Sequence, residues 1–194
     1  MTSMPVGTPD WDHLFETAAA QAGYFTTKQA ADAGYSTQLL RKHILAGRMS
    51  RPQRRIYRLV HFPAGDDETL VTGWLWTERA GVVSHQTALS LHGLSDVLPA
   101  RMHLTLPLAW ARRRLRVPPG IVLHHANIGS EDRTWHGPVP VTTVSRTLRD
   151  CARAGLSPEH LRQATRDALR RGLVTRRDVI DVEASLTSLG GLDE

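Results

Sequence analysis

The chain has 194 residues, 41% of them hydrophobic, which is ordinary for a globular protein and sets one or two domains. A formal net charge of +5 and a pI near 10.1 fit an acidic partner such as nucleic acid. The single cysteine, Cys151, excludes an internal disulfide and points to a reducing cytosol, and no apolar run approaches the ~20 residues of a membrane helix.

Arg outnumbers Lys by 22 to 2, a ratio read as the mark of a GC-rich genome more than of a need for guanidinium chemistry. The opening MTSMPVGTPDW has neither a basic start nor an apolar core, so no signal peptide is expected and the location is read as cytoplasmic. Met1 to Pro9 reads as a frayed tail. Asp10 to Gly23 reads as a helix with Asp10 as its cap and Leu14 and Ala18 on one face.

The stretch from Thr26 to Phe62 carries the order of parts of a winged helix-turn-helix. Thr26 followed three residues on by Gln29 has the spacing of a capping box. Gly34 suits the left-handed residue that ends the helix. Ser36 can cap a second helix, which Gly47 stops. Leu40 and Ile44 mark the buried face of that helix. Thr37, Gln38, Arg41 and Lys42 mark the face that can reach base edges or phosphates in a major groove. Two extended runs follow, joined by a basic turn. Ile56 to Leu59 reads as a wing strand, with Arg51, Arg54 and Arg55 at the wing tip. The DNA-binding set is therefore Ser36, Thr37, Gln38, Arg41, Lys42, Arg51, Arg54 and Arg55. Eight cations less one anion leave +7 on this stretch, against +5 for the whole chain. That concentration is the electrostatic footprint of a protein that binds double-stranded DNA.

Pro63 to Asp66 is turn chemistry and divides the chain into residues 1–65 and 66–194. A helix is expected from Asp67 to Ala80, ended by Gly81, and a second after Ser84 as its cap. Strands are expected at Met102–Leu106, Ile121–His125, Arg133–His136 and Val139–Thr142, with the prolines near the last two arguing for an edge position. Helices return from Thr143 to Ala154, after Ser157-Pro158, and after Thr175, and Leu189 to Glu194 is read as frayed. The fold class is α+β: a winged helix-turn-helix followed by a mixed domain of helices and a small, mainly antiparallel sheet.

Read together, Phe25-Thr26-Thr27-Lys28-Gln29-Ala30, Ile56-Tyr57-Arg58-Leu59, Ser84-His85-Gln86-Thr87-Ala88-Leu89 with Leu91-His92-Gly93-Leu94, and Val141-Thr142 with Arg146-Thr147-Leu148-Arg149-Asp150 resemble the AbiEi family of antitoxins of type IV toxin–antitoxin systems. The resemblance runs from Phe25 to Leu186. It implies a repressor of its own operon that also counteracts a nucleotidyltransferase-like toxin, without necessarily binding it. It implies that the second half carries the antitoxin activity. The family usually has Gly before the wing's Val/Ile-Tyr. Here that residue is Arg55, which leaves the shape of the wing tip in question.

Other chemistries were weighed on the same residues. The ten histidines show no H-x-x-x-H pattern and no Cys pair accompanies them, so no metal and no cofactor is expected. His85 and His92 share a helix face and are read as satisfying backbone groups near its ends. His124 and His125 are adjacent in a strand and point opposite ways. A restriction-type nuclease needs acids and a Lys on paired strands, but Lys28 and Lys42 both lie in the winged stretch. Cys151 sits on an apolar stripe and reads as core, so no catalytic residue is named. A ligand-sensing second domain remains open, with Trp74, Trp76, Trp110 and Trp135 as candidate lining. Arg162, Arg166 and Arg170 form an i, i+4, i+8 stripe. It is balanced between a solvated face and a second phosphate-contacting surface. A further basic run, Arg112-Arg113-Arg114-Leu115-Arg116, lies in a loop.

Overall fold

Side-chain caps at Asp10, Thr26, Ser36 and Ser157 start their helices where the sequence places them. Asp10 accepts from the His13 backbone N–H at 3.0 Å and opens α1 (Trp11–Ala19). Strand β1 (Tyr24–Thr26) leads directly into α2 (Thr27–Asp32). There Thr26 Oγ1 accepts from Gln29 N–H at 3.2 Å, and Gln29 Oε1 accepts from Thr26 N–H at 2.9 Å, completing the capping box. Ser36 accepts from Leu39 N–H at 3.2 Å and opens α3 (Thr37–Leu45). Then follow β2 (Met49–Gln53), β3 (Ile56–Leu59) and α4 (Glu68–Trp76). The computed structural model describes residues 8–63, 65–94, 96, 99–187 and 191–192. Most of the tail expected over Met1–Pro9, Ala64 of the boundary turn, and all of Leu189–Glu194 except Gly191 and Leu192 lie outside these residues.

The chain divides into two compact units, Met1–Arg79 and Ala80–Glu194. In the first, β1, β3 and β2 form an antiparallel sheet in that order. Its core gathers Leu14, Phe25, Ala30, Leu40, Met49 and Tyr57, with Phe25 and Tyr57 stacked at 5.7 Å. This order of parts is consistent with a winged helix-turn-helix. The division drawn at residue 65 precedes α4, whereas the compact unit includes α4, which packs against β1 and β3. The expected Asp67–Ala80 helix stops at Trp76, because Glu78 and Arg79 turn into left-handed backbone at φ 54° and 67°.

The second unit is built on β4 (Val82–Val83), α5 (His85–Leu91), β5 (Met102–Leu106), β6 (Ile121–His125), β7 (Arg133–His136), β8 (Val139–Thr142), α6 (Val144–Arg153), α7 (Pro158–Arg170) and α8 (Ile180–Thr187). Its sheet has the order β6-β5-β4-β8-β7. The sheet is mixed rather than mainly antiparallel: β5–β6 and β4–β8 run parallel, β4–β5 and β7–β8 antiparallel. The reason lies in the long return from Leu106 to Ile121, which carries the chain back to the start of β5 before β6 begins. Pro140 is not on an edge strand, since β8 lies between β4 and β7. The two-residue β4 meets β8 only at Val83↔Val141, so the ladder on that side asks little of the proline. Helices α5 to α8 bury Leu89, Leu148, Leu161, Ala164, Val182 and Leu186 together. Leu192 joins this core at 7% exposure, so the described part of the expected C-terminal fray is packed. Among the described residues no helix is long and apolar enough to cross a membrane.

Gly23 is a tightly enclosed backbone position of the first unit. Its φ is +88°, and a Cβ there would meet Phe62 Cγ at 2.6 Å. We expect Gly23→Ala to destabilise this unit by about 2–4 kcal/mol, from left-handed strain and overpacking together. Denaturant unfolding followed by Trp fluorescence and circular dichroism checks the loss.

Candidate nucleic-acid interface

The exposed face of α3 is set by what its other face buries. Leu40 is fully buried, Leu39 and Ile44 pack beside it, and the His43 ring lies against Tyr35 at 5.6 Å. Burial, then the Arg48 charge, lowers the His43 pKa, so this ring is neutral and belongs to the packed side. Thr37, Gln38, Arg41 and Lys42 are all exposed on the opposite side. Ser36 is half-buried and spends its hydroxyl on the cap. The turn that sets α3 against α2 depends on Gly34 at φ 80°, with its N–H on Ala31 O and Tyr35 N–H on Ala30 O. Leu45, four residues past Arg41, extends this face and is 78% exposed. The sequence reading did not single it out, although an apolar residue at the solvent end of a polar helix face is a usable signal.

The hairpin of β2 and β3 turns at Arg54 and Arg55, with Gln53 opposite Ile56. Arg55 takes φ +67°, the conformation for which glycine is the usual residue. Its carbonyl accepts from Thr27 N–H at 2.9 Å, which ties the wing tip to the first residue of α2. The turn thus keeps a glycine-like backbone while carrying an arginine. Arg51, Arg54 and Arg55 are exposed, and the Arg51 guanidinium lies over the Tyr57 ring at 5.8 Å. Arg58 is turned inward: it donates to Phe62 O at 2.7 Å and lies 5.6 Å from the Tyr24 ring centroid. One of the eight cations of this stretch is therefore committed to packing.

The second basic stripe has local partners. Arg162 Nε donates to Gly191 O at 2.7 Å, Arg166 Nε donates to Leu192 O, and Arg170 pairs with Asp167. Asp96, Glu159 and Asp167 line the same groove, so its charge is mixed. The Arg171 hydrogen bond, then that of Arg170, holds the Asp167 carboxyl below its usual pKa. In the Arg112–Arg116 run, Arg113 lies 3.9 Å from the Trp110 ring centroid. Trp135 is exposed on β7, and Trp74 is buried in α4.

Three histidines that sequence spacing kept apart come together in the second unit. His85, His103 and His124 each offer a ring nitrogen within 4.8 Å of the others. The His85 and His124 rings stack at 3.5 Å, and His103 Nδ1 lies 3.1 Å from His124 Nε2. Burial first, then His124, His103 and Arg146, pushes the His85 pKa down to about 3. Burial also lowers His103 and His124, so all three rings are neutral at pH 7. Ser84 does not cap α5 with its side chain. Its hydroxyl bonds His85 Nδ1 at 2.9 Å and accepts from Thr105 Oγ1 at 2.7 Å. His92 does satisfy a backbone group, Thr142 O at 2.8 Å, whereas His85 bonds a side chain. Burial pushes the Cys151 thiol up to about 12, as expected of a core cysteine.

An exposed polar and basic helix face beside a basic hairpin is the arrangement with which DNA-binding transcription regulators meet duplex DNA. Residues 12–60 match the family model for transcriptional regulator, AbiEi antitoxin. The resemblance to AbiEi antitoxins is thus borne out over α1 to β3, and the match ends at residue 60. No curated protein matches the chain.

Arg55→Gly separates backbone from charge at the wing tip. Relief of the left-handed residue should leave stability unchanged or raise it by up to about 1 kcal/mol. If the arginine contacts phosphate, the log–log salt slope of DNA binding should become shallower by about 1. Thermal unfolding and a salt titration of binding read the two effects separately.

Proposed function

We propose that the protein is a winged helix-turn-helix antitoxin that binds double-stranded DNA at its own operator, represses its own operon and counteracts a nucleotidyltransferase-like toxin. The observation that carries this reading is the exposed α3 face flanked by the wing arginines, in a segment that matches an AbiEi antitoxin regulator. In this reading α3 enters the major groove. Gln38 and Arg41 read base edges, Thr37 and Lys42 flank them, and Ser36 fixes the helix start. Leu45 offers an apolar contact to a thymine methyl. Arg51, Arg54 and Arg55 hold phosphates from the wing. The Ala80–Glu194 unit carries the antitoxin activity through surface recognition rather than catalysis. Arg162, Arg166 and Arg170 are secondary candidates for phosphate contact, because their groove also holds three acids.

The non-enzymatic reading rests on residue supply. Both lysines, Lys28 and Lys42, lie in the first unit, so the second lacks the Lys of a restriction-type nuclease site. Purified protein should leave DNA and RNA intact with Mg²⁺.

Gel-shift and fluorescence assays on the protein's own promoter test the DNA reading. Affinity should fall steeply with salt, with a log–log slope of several negative units. Arg41→Ala and Gln38→Ala should each cost about 1–3 kcal/mol on the operator and relax sequence preference. Arg54→Ala should weaken specific and random DNA alike. In cells, the Gln38→Ala/Arg41→Ala double variant should lose promoter repression yet still rescue growth from the cognate toxin. Loss of both together, with the variant folded and expressed, would show that the two activities are not divided.

A further inference from the structure

We infer that His85, His103 and His124 form a binding site for a divalent transition ion of the zinc class. This is independent of the DNA reading. The three rings come from three elements: the first residue of α5, the second residue of β5 and the next-to-last residue of β6. The parallel register pairs Thr105 with His124, so His103, Thr105 and His124 share one face of the sheet. His85 lies over that face, its ring stacked on His124 at 3.5 Å and 13° from parallel, so it must turn out of the stack for its in-plane lone pair to reach an ion shared with His124.

The spacing of His103 and His124 suits an ion. Bonds of about 2.0–2.1 Å to imidazole put two ligand nitrogens about 2.9 Å apart in an octahedron and about 3.3–3.4 Å apart in a tetrahedron. The His103 Nδ1 to His124 Nε2 separation, 3.1 Å, falls between them. Neutral imidazole is the ligand form, and nitrogen donors favour Zn²⁺, Co²⁺ and Ni²⁺ over Mg²⁺. Without an ion, one of these two nitrogens must donate to the other. With one, the donor ring moves its proton to its other nitrogen, so no net proton is released.

The surroundings are organised around the same point. Ser84 Oγ sits 2.9 Å from His85 Nδ1 and accepts from Thr105 Oγ1; in the tautomer in which Nδ1–H donates to Ser84, His85 Nε2 is the ligand nitrogen. His85 holds this place at φ +53°, a strained conformation for a side chain of its size. Asp150, 6% exposed, acts on His124 as a nearby negative charge, and its Oδ2 is buried with no hydrogen-bond partner. It supplies an anion beside the proposed cation. Arg146 faces His85 with the opposite sign, but Asp132 and Asp150 pair with it. The ligands lie 18 and 21 residues apart, which explains why the local spacings of the sequence argued against any metal.

The test uses full-length, tag-free protein stripped with EDTA and titrated with Zn²⁺ and with Co²⁺. We expect one ion per chain by elemental analysis after dialysis, and visible Co²⁺ ligand-field bands. His103→Ala and His124→Ala should each weaken binding at least tenfold. His125→Ala, exposed on the opposite face of β6, should leave binding unchanged. Ser84→Ala should weaken it about 10- to 100-fold, as expected for a group that orients a ligand. Should an alanine variant unfold by circular dichroism, His124→Gln and the ¹⁵N shifts of the wild-type imidazoles during Zn²⁺ titration give the same reading. Absence of stoichiometric metal would overturn the site, as would binding that His103 and His124 variants leave intact.

Discussion

A buried guanidinium organises the second unit. Arg146 is 9% exposed, and taking its charge out of water is costly unless acceptors meet it. Two do: Asp150 on the next turn of α6 at 2.9 Å, and Asp132 ahead of β7 at 2.8 Å. Arg149 adds a bond to Asp132 at 3.0 Å. Burial disfavours the charged form of Arg146, yet these bonds and charges outweigh it and raise its pKa. The network therefore fixes α6 against the turn entering β7 and β8. It also sets the field beside the histidine cluster, because Arg146 acts on His85 and Asp150 on His124. Removing Asp132 or Asp150 would leave a buried cation short of partners, which costs more than the pair contributes.

In the first unit the corresponding constraint is steric. The α2–α3 turn closes on Gly34, and small residues on α2, notably the fully buried Ala30, let the elements pack closely. Leu40 anchors α3, so the faces that point outward are decided by apolar packing and not by the charges themselves. The wing tip is then fixed from α2, through Thr27 and the Arg55 carbonyl. Helix and hairpin, the two basic elements, are thus held in one frame by the same short helix.

These parts were unequally legible in the sequence. Capping at Thr26 and Ser36, the Gly34 turn and the strand Ile56 to Leu59 are local signals, and each appears in the structure where it was expected, although Ile56 and Tyr57 are both buried and the strand does not alternate. β4 was missed because two residues cannot show a period, yet it is the centre of the larger sheet. The parallel pairing of β5 with β6 was missed because no helix of sequence-readable length bridges them. The histidine cluster was invisible for a related reason. Spacing rules find ligands that share a turn or a helix face, and these three meet only through strand register and the entry of α5. The arginine stripe on α7 was visible as a periodicity, but its carbonyl partners Gly191 and Leu192 lie more than twenty residues downstream.

The arginine content takes on a different meaning once these partners are known. Attributing 22 arginines and 2 lysines to genome composition treats the side chain as a plain charge. Several of them act instead as planar multi-donor groups. Arg146 bonds two carboxylates through different nitrogens, Arg171 reaches His92 O, Gly93 O and Asp167, and Arg162 and Arg166 hold the described C-terminal residues. A lysine ammonium, a compact point charge, cannot reproduce those forks. It follows that the pI near 10.1 overstates the DNA-facing charge, because part of it is spent inside the fold. What distinguishes Arg41, Arg51, Arg54 and Arg55 is their exposure on α3 and the wing, and it is on this placement that the proposed DNA contact of the first unit rests.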